Sequence, residues 1–277
     1  MRTAVVGHVE WVEFVRVEHV PAPGEIVRAQ SGFAEDAGGG GVAAVQLARL
    51  AGECTLYTAL GDDEIGTLAR ERLERLGVRV EAAIRTGEPT RRAFTFVDAA
   101  GERTITVIGE RLEAQRSDPL PWDDLATADA VYFTAGDADS LRAARAARAL
   151  TATARVMDVL ERAGVQLDAV VASSADPSER YRPIEPAPRL VAETAGESGG
   201  TWNAHEGRTG AWAAAPLPGP VRDAYGCGDS FAAGLTFALG EGLDPDGALA
   251  FAAECGAACL TGDGPYGYEF QRRSNAQ

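Results

Sequence analysis

Apolar residues follow two rhythms along this chain. Residues 3–9, TAVVGHV, form an almost unbroken apolar run that predicts a buried strand. VEFVRVEHV (12–20) and EIVRAQ (25–30) instead alternate apolar with polar positions across the turn sequence PAPG, which predicts two strands with one face in solvent. RRAFTFVD (91–98) and RTITVIG (103–109), joined by AAGE, predict a second pair of this kind. Four such strands, drawn from about 11–32 and 88–109, are expected to form a small sheet that covers something.

The rest of the chain alternates buried strands with helices. VAAVQLARLA (42–51) predicts a helix, CTLYTAL (54–60) a strand, and DDEIGTLARERLERLG a helix closed by Gly77. From residue 129, AVYFTAG, ARVMDV, DAVVAS and RLVAET read as short buried strands, with LRAARAARALT as a helix between the first two. Four prolines within 177–188 exclude a regular helix there. GTWNAHEGRTGAWAAAP predicts a hairpin, and two alanine-rich helices follow from residue 228. Strand and helix in alternation give the expected fold class: α/β, with a central, mostly parallel sheet covered by helices on both faces.

Composition narrows the partners. With 277 residues, 45% hydrophobic and 24% charged, the chain suits one α/β domain carrying the small sheet as an appendage. A formal net charge of −15 disfavours nucleic acid and anionic membrane, both of which bind through Lys and Arg meeting phosphates. All 26 basic residues are arginine, so a Walker A lysine, a Schiff-base lysine and a lysine base are excluded. Cys54, Cys227, Cys255 and Cys259 form no CxxC pair, and His8, His19 and His205 are scattered, so neither a disulfide framework nor a structural zinc site is expected. The opening MRTAVVGHVEW is too short in its apolar part for a secretory signal, and no run approaches a membrane span, so a cytoplasmic protein is expected.

The stretch RDAYGCGDSFAAGL (222–235) carries the most specific chemistry. Gly226 and Gly228 let the backbone approach a ligand, and the apolar spacing that follows is that of a helix packed on a sheet. Free amides at such a helix start hold negative charge. Asp229 in the first turn then suits two roles, a cap for the helix or a base that takes a proton from an attacking hydroxyl.

This stretch resembles the C-terminal signature of the ribokinase-like (PfkB) carbohydrate kinases, Asp-Thr-x-Gly-Ala-Gly-Asp-x-Phe-x-x-Gly. The resemblance continues in order along the chain: PAPGE at 21–25, the glycine-rich GGGGVAAVQLARLAG at 38–52, GDDEIG at 61–66, and ETAGESGG at 193–200, which is similar to the family's nucleotide motif. It implies ATP-dependent phosphorylation of a hydroxyl on a sugar or sugar-like molecule, with magnesium, beneath a small β lid. Asp229 would be the base, and the amides of Gly226, Cys227 and Gly228 the anion hole. Gly38, Gly39 and Gly40 would line the acceptor site, and Thr194, Gly196 and Gly199 the nucleotide site. Asp223 matches an acidic residue that helps bind a monovalent cation in some members, although Ala224 replaces the neighbouring threonine. A homodimer through the lid follows by the same analogy.

Departures from the pattern bear on the acceptor. Val12 stands where the family often has a sugar-binding Asp, and Ala43 stands where it commonly has Asn. Glu10, Asp36 and His8, near the first strand and the glycine run, are candidates to replace them. The family's Asn-x-x-Glu, which organises water around magnesium, aligns with Ser173, Ser174, Ala175 and Asp176, leaving Asp176 to orient metal-bound water. Arg91 and Arg92 in TRRAF suit either a grip on an acidic or phosphorylated sugar or protection of an exposed strand. A nucleoside kinase, and a weakly catalytic sugar- or nucleotide-binding relative, are the alternatives.

Overall fold

The apolar run that opens the chain becomes a central strand of a nine-stranded sheet. The computed structural model describes residues 1–268 and 270. β1 (Thr3–Val6) lies between β4 (Cys54–Gly61) and β8 (Ala130–Phe133), parallel to both. β5 (Val78–Arg85) extends the β4 side. β9 (Ala149–Thr153), β10 (Ala169–Ser173) and β11 (Leu190–Thr194) extend the other, also in parallel. The hairpin of β12 (Gly200–Ala204) and β13 (Thr209–Trp212) closes that edge in antiparallel fashion.

β1 is apolar on both faces because both faces are covered. Val5 joins the core beneath α1 (Gly38–Ala51), α2 (Glu64–Arg75), α5 (Cys227–Gly240) and α6 (Pro245–Cys259), with Leu47, Leu73, Leu235 and Leu249. Ala4 and Val6 face the opposite layer of α3 (Ala138–Ala144) and α4 (Met157–Ala163), with Phe133, Leu141 and Leu160. After β1 the chain builds outward to β5 and then returns to β8 on the other side. Loops leaving β1 and β8 therefore diverge, which opens a crevice at the carboxyl ends of the strands.

The small sheet forms over that end, in the order β3-β2-β6-β7. Its strands are β2 (Glu10–Arg16), β3 (Ser31–Ala37), β6 (Arg92–Val97) and β7 (Arg103–Ile108); β6 and β7 lie within the expected 88–109, whereas β3 runs beyond the expected 11–32. One expected strand is corrected: EIVRAQ is irregular, with Ile26 98% exposed, and the partner of β2 is the less apolar segment 31–37. Register explains the choice, since this pairing stacks Phe14 on Phe33 with centroids 4.8 Å apart.

Two further corrections fall in the large sheet. ARVMDV is not a strand; it opens α4, which buries Met157 and Leu160 and is closed by Gly164 in the left-handed conformation. The strand lies earlier, at 149–153, and takes over the last three residues of the stretch 141–151 read as a helix. Its alanines favour a helix locally, yet every residue there is buried between β8 and β10, and tertiary packing outweighs the propensity. β5 was not anticipated at all.

Candidate active site

Two of the four glycines opening α1, Gly38 and Gly40, are required by close approach to the segment that leaves β1. Gly38 has φ +78°, and a Cβ there would lie 3.0 Å from the Glu10 nitrogen. A Cβ on Gly40 would lie 2.6 Å from the carbonyl oxygen of His8, the group to which the Gly40 amide donates at 3.0 Å. Only glycine lets this helix start rest on the strand end. Gly226, at φ +80°, turns the chain into α5 in the same way, with Val42 and Pro265 each 3.0 Å from where its Cβ would be. Gly228 has open space above it. Two helix starts thus converge on the crevice; at α1 the Gly38 and Gly40 amides are taken by the Tyr225 hydroxyl and the His8 carbonyl, whereas the start of α5 has no side-chain cap.

Asp229 lies at that convergence. The point a Gly39 Cβ would occupy is 3.0 Å from Asp229 Oδ1, 2.9 Å from Thr134 Oγ1 and 3.5 Å from His8 Cε1. The cap position of α5 belongs to Gly226, and no side chain caps this helix, so Asp229 does not serve as the cap. Among the described residues no group hydrogen-bonds its carboxylate. Burial, and then the negative charge of Glu179, push it up from its ordinary 3.8 to about 6, against the pull of Arg155 and Arg103. A free carboxylate at this level is mostly ionised at neutral pH and still basic enough to accept a proton.

On one side of Asp229 lies a charged group. His8 Nε2 is 3.1 Å from Glu10 Oε1, and both side chains are buried. Burial holds His8 below its ordinary range. Glu10 is lowered despite its burial, by the hydrogen bond and charge of His8 and by Arg91 and Arg111. Arg91 Nη1 stands 3.4 Å from Glu10 Oε1. Arg92 points elsewhere and pairs with Glu13, so the two arginines of TRRAF divide their roles. Val12 is fully buried in the core and Ala43 within α1. Asp36 does not join this group. Glu10 pairs with Ala37 and Trp11 with Asp36 across β2 and β3, so Asp36 shares the face of Trp11 and not that of Glu10. There it lies 2.9 Å from Arg72 Nε, pushed up to about 7 by burial.

The loop before the second arginine is fixed by GDDEIG. Asp63 caps α2 through the Gly66 amide at 2.8 Å, and also takes the amide and hydroxyl of Thr90 at 2.9 and 2.6 Å. Trp11 then donates its amide to the Arg91 carbonyl at 3.0 Å. These bonds set Arg91 where β6 begins.

On the other side, β10 and β11 end beside one another. Thr194 Oγ1 donates to the Ala172 carbonyl at 3.1 Å, and Gly196 and Gly199, both at positive φ, shape the turn into β12. Asp176 caps a short 3-10 turn, and its Oδ2 lies 2.9 Å from Arg155, which also pairs with Glu179. Asp176 and Glu179 thus stand three residues apart and share Arg155. Glu179 is the carboxylate that raises Asp229 most, and the sequence alone, with the motif placed at 173–176, does not single it out. Among the described residues no cluster of three metal-ligating side chains forms. Magnesium keeps most of its waters and needs only one or two carboxylates; Asp176 and Glu179, both paired with Arg155, are the ones that would be available to it at this end of the cleft.

Asp223 is fully buried, and its oxygens accept the amides of Tyr225 at 2.8 Å and Gly264 at 3.1 Å, tying down the loop before α5. Tyr225, an unspecified position of the signature, was also missed. Its hydroxyl accepts the Gly38 amide at 3.3 Å, and its ring meets Phe14 edge-on at 5.0 Å, linking both helix starts to the small sheet. Thr134 and Arg111 had no local sequence signal.

Two amide-rich helix starts around one free carboxylate, in a cleft covered by a small sheet, define a site for transfer of an anionic group to a nucleophile. Comparisons with known proteins agree with that class. Residues 2–178 and 172–267 match the pfkB family carbohydrate kinase. The chain is 30% identical, over 93% of its length and 91% of the other's, to an ATP-dependent ribose-1-phosphate kinase of Halopiger xanaduensis. Its fold is shared with the adenosine kinase of Sinorhizobium meliloti (TM-score 0.78, 20% identity, 95% and 94% of the two chains). It is also shared with the ribokinase of Arabidopsis thaliana complexed with ribose and ATP (TM-score 0.74, 22% identity, 96% and 95%). The chain belongs to the pfkB family of carbohydrate kinases.

Proposed function

We propose that this kinase moves the γ-phosphoryl group of ATP to a hydroxyl of a sugar or sugar-like molecule, with Asp229 as the base. The observation that carries this reading is the unpartnered Asp229 carboxylate, raised to about 6, between the starts of α1 and α5. The acceptor hydroxyl gives its proton to Asp229 and attacks the γ-phosphorus. The amides of Gly226, Cys227 and Gly228 face the negative charge that spreads over the transferring group. Gly38, Gly39 and Gly40 bring acceptor and base together, with Glu10 and His8 as hydroxyl partners. Thr194, Gly196 and Gly199 hold the nucleotide. Asp176 and Glu179 are the carboxylates that would hold magnesium, which would supply charge screening of the phosphates. Asp223 is the residue through which a monovalent cation would act, and a potassium titration of turnover tests it.

The names of the relatives span ribose 1-phosphate, ribose and adenosine as acceptors. ADP formation from MgATP across sugars, sugar phosphates, polyols and nucleosides identifies the acceptor. Loss of that turnover in Asp229→Asn supports the mechanism, and full retention refutes it. A nucleoside as best acceptor would give the nucleoside-kinase reading. We place the enzyme in the cytoplasm, where ATP is abundant and its four free cysteines stay reduced. β7, with all six residues exposed, including Ile105, Val107 and Ile108, is the strand through which two lids would pair in a homodimer. Light scattering of Ile105→Glu beside the wild type checks that pairing.

A further inference from the structure

The small sheet reaches past the cleft and grips the loop that leads into α5. Both backbone groups of Ala224 are taken by the β6–β7 hairpin: its amide donates to the Gly101 carbonyl at 3.1 Å, and its carbonyl accepts from Arg103 Nη1 at 2.9 Å. From β2, Arg16 Nη1 donates to the Arg222 carbonyl at 3.1 Å while its Nη2 lies 2.7 Å from Asp263. The hairpin turn is held firm, because Asp98 Oδ1 accepts the amides of Ala100 and Glu102 at 2.9 and 3.0 Å. It also lies flat on the loop. Gly101 has φ +81°, and a Cβ there would be 3.1 Å from Val221 Cγ1 and 3.2 Å from the Arg222 carbonyl oxygen. Arg103 has no ion-pair partner among the described residues, so its guanidinium is spent on a backbone carbonyl.

That contact lies one peptide away from the amides at the start of α5. The carbonyl held by Arg103 and the amide of Tyr225 belong to a single planar peptide, and this amide donates to Asp223 Oδ1 at 2.8 Å. The plane is thus pinned at both ends, by the small sheet and by Asp223. The next peptide carries the Gly226 amide, and Gly226, at φ +80°, turns the chain into the helix. We propose that Arg103 is a positioning residue for phosphoryl transfer: with Gly101 it fixes the 224–225 peptide and so aims the amides of Gly226, Cys227 and Gly228 at the transferring group. That role rests on the kinase reading above and adds a residue to the same site. The small sheet then covers the acceptor and also sets the donors opposite it. Such donors help only while they point to where charge develops, and a misplacement of about 1 Å can cost about 100-fold in rate.

The test compares the wild type with Arg103→Gln, Arg103→Lys, Gly101→Ala and Thr106→Ala in ADP release from MgATP, with ribose, ribose 1-phosphate and adenosine as acceptors. It is run at pH 8, well above the range in which Asp229 titrates, so that loss of the arginine charge does not act through the base. For the acceptor that turns over, Arg103→Gln is expected to lower kcat about 10- to 100-fold and to leave both KM values within about 2-fold. Arg103→Lys, which keeps the charge and a donor, should recover part of the rate, and Thr106→Ala, three residues along β7, should match the wild type. Calorimetric ADP binding verifies the fold of each variant. Gly101→Ala reaches the same peptide by pressing a methyl on the loop, and it decides the matter if Arg103→Gln fails that check. An unchanged kcat in Arg103→Gln, or a loss confined to KM, overturns the positioning role and leaves the kinase reading intact. If no acceptor releases ADP, the kinase reading falls. Hydrogen exchange without nucleotide then decides by itself whether Arg103 fixes this peptide: the amides of 224–228 should exchange about 3- to 10-fold faster in Arg103→Gln, the worth of one hydrogen bond, and unchanged exchange overturns it.

Discussion

Replacing Asp229 by Asn separates a base from a structural residue in a single stability measurement. In the folded chain the carboxyl is raised from 3.8 to about 6, chiefly by burial. Its folded state therefore holds a proton more tightly than its unfolded state. The stability contributed by protonation is full below the unfolded value of 3.8 and is lost as pH rises through about 6. At pH 8 the ionised carboxylate then costs the fold up to roughly 3 kcal/mol, reduced to about 1–3 kcal/mol because the group is partly open to solvent. Asn carries no charge at any pH and removes that cost.

Asp229→Asn is therefore expected to be more stable than the wild type at pH 8, by about 2–9 °C in Tm for a chain of this size. The gain should shrink as pH falls from about 6 towards 4. Differential scanning fluorimetry at several pH values, supported by urea unfolding, follows it. Turnover should fall about 100- to 10,000-fold in the same variant. If Asp229→Asn is instead less stable than the wild type at pH 8, the ionised carboxylate makes contacts that the fold needs, and the reasoning fails.

Three further outcomes follow from the same geometry. Because the charge of Glu179 raises Asp229, Glu179→Gln should move the acidic limb of the kcat/KM profile to lower pH, and a pH–rate series checks the direction. Gly40→Ala would press a methyl to 2.6 Å from the His8 carbonyl, so urea unfolding should show a loss of about 1–3 kcal/mol. Asp63→Ala removes the α2 cap and the Thr90 clasp together; about 1–2 kcal/mol of stability should go, and KM for the acceptor should rise because Arg91 loses its anchor.

Periodicity revealed the two sheets because most strands are short, bounded by turns, and either continuously or alternately apolar. It misplaced the strands whose composition resembles something else. Alanine-rich 149–153 reads as a helix until β8 and β10 flank it, and SGFAEDA has little apolar signal of its own until Phe33 meets Phe14. The site was legible where glycine is obligatory, at 38–40 and 226–228, since a backbone that must approach another backbone leaves a mark in one sequence. Asp229 stood beside those marks. Glu179 and Tyr225 lay within or next to motifs already noticed, but what identifies them is distance. Thr134 comes from a segment without a motif and enters the cleft only because the switch point gathers the ends of β1 and β8; Arg111 follows β7 of the small sheet, also outside any motif. Asp36 shows the converse, a buried carboxylate near the glycine run in sequence that the alternation of β3 turns to the opposite face.

These positions also explain why a carboxylate lies where two helix starts already favour an anion. The amides alone would draw Asp229 towards a lower pKa, yet burial and Glu179 outweigh them and leave it near 6. While ionised, Asp229 is itself the negative charge that the helix ends stabilise. Once it takes the acceptor proton it becomes neutral, and the same field is left to the incoming phosphoryl oxygens, whose charge grows as the bond to the acceptor forms. Base and anion site therefore act in sequence on one field. A variant that keeps a neutral side chain there, such as Asn, retains the field and loses the proton acceptor. Its nucleotide affinity should match or exceed the wild type's while its turnover collapses, and calorimetry of ADP binding beside the kinetic assay would show both.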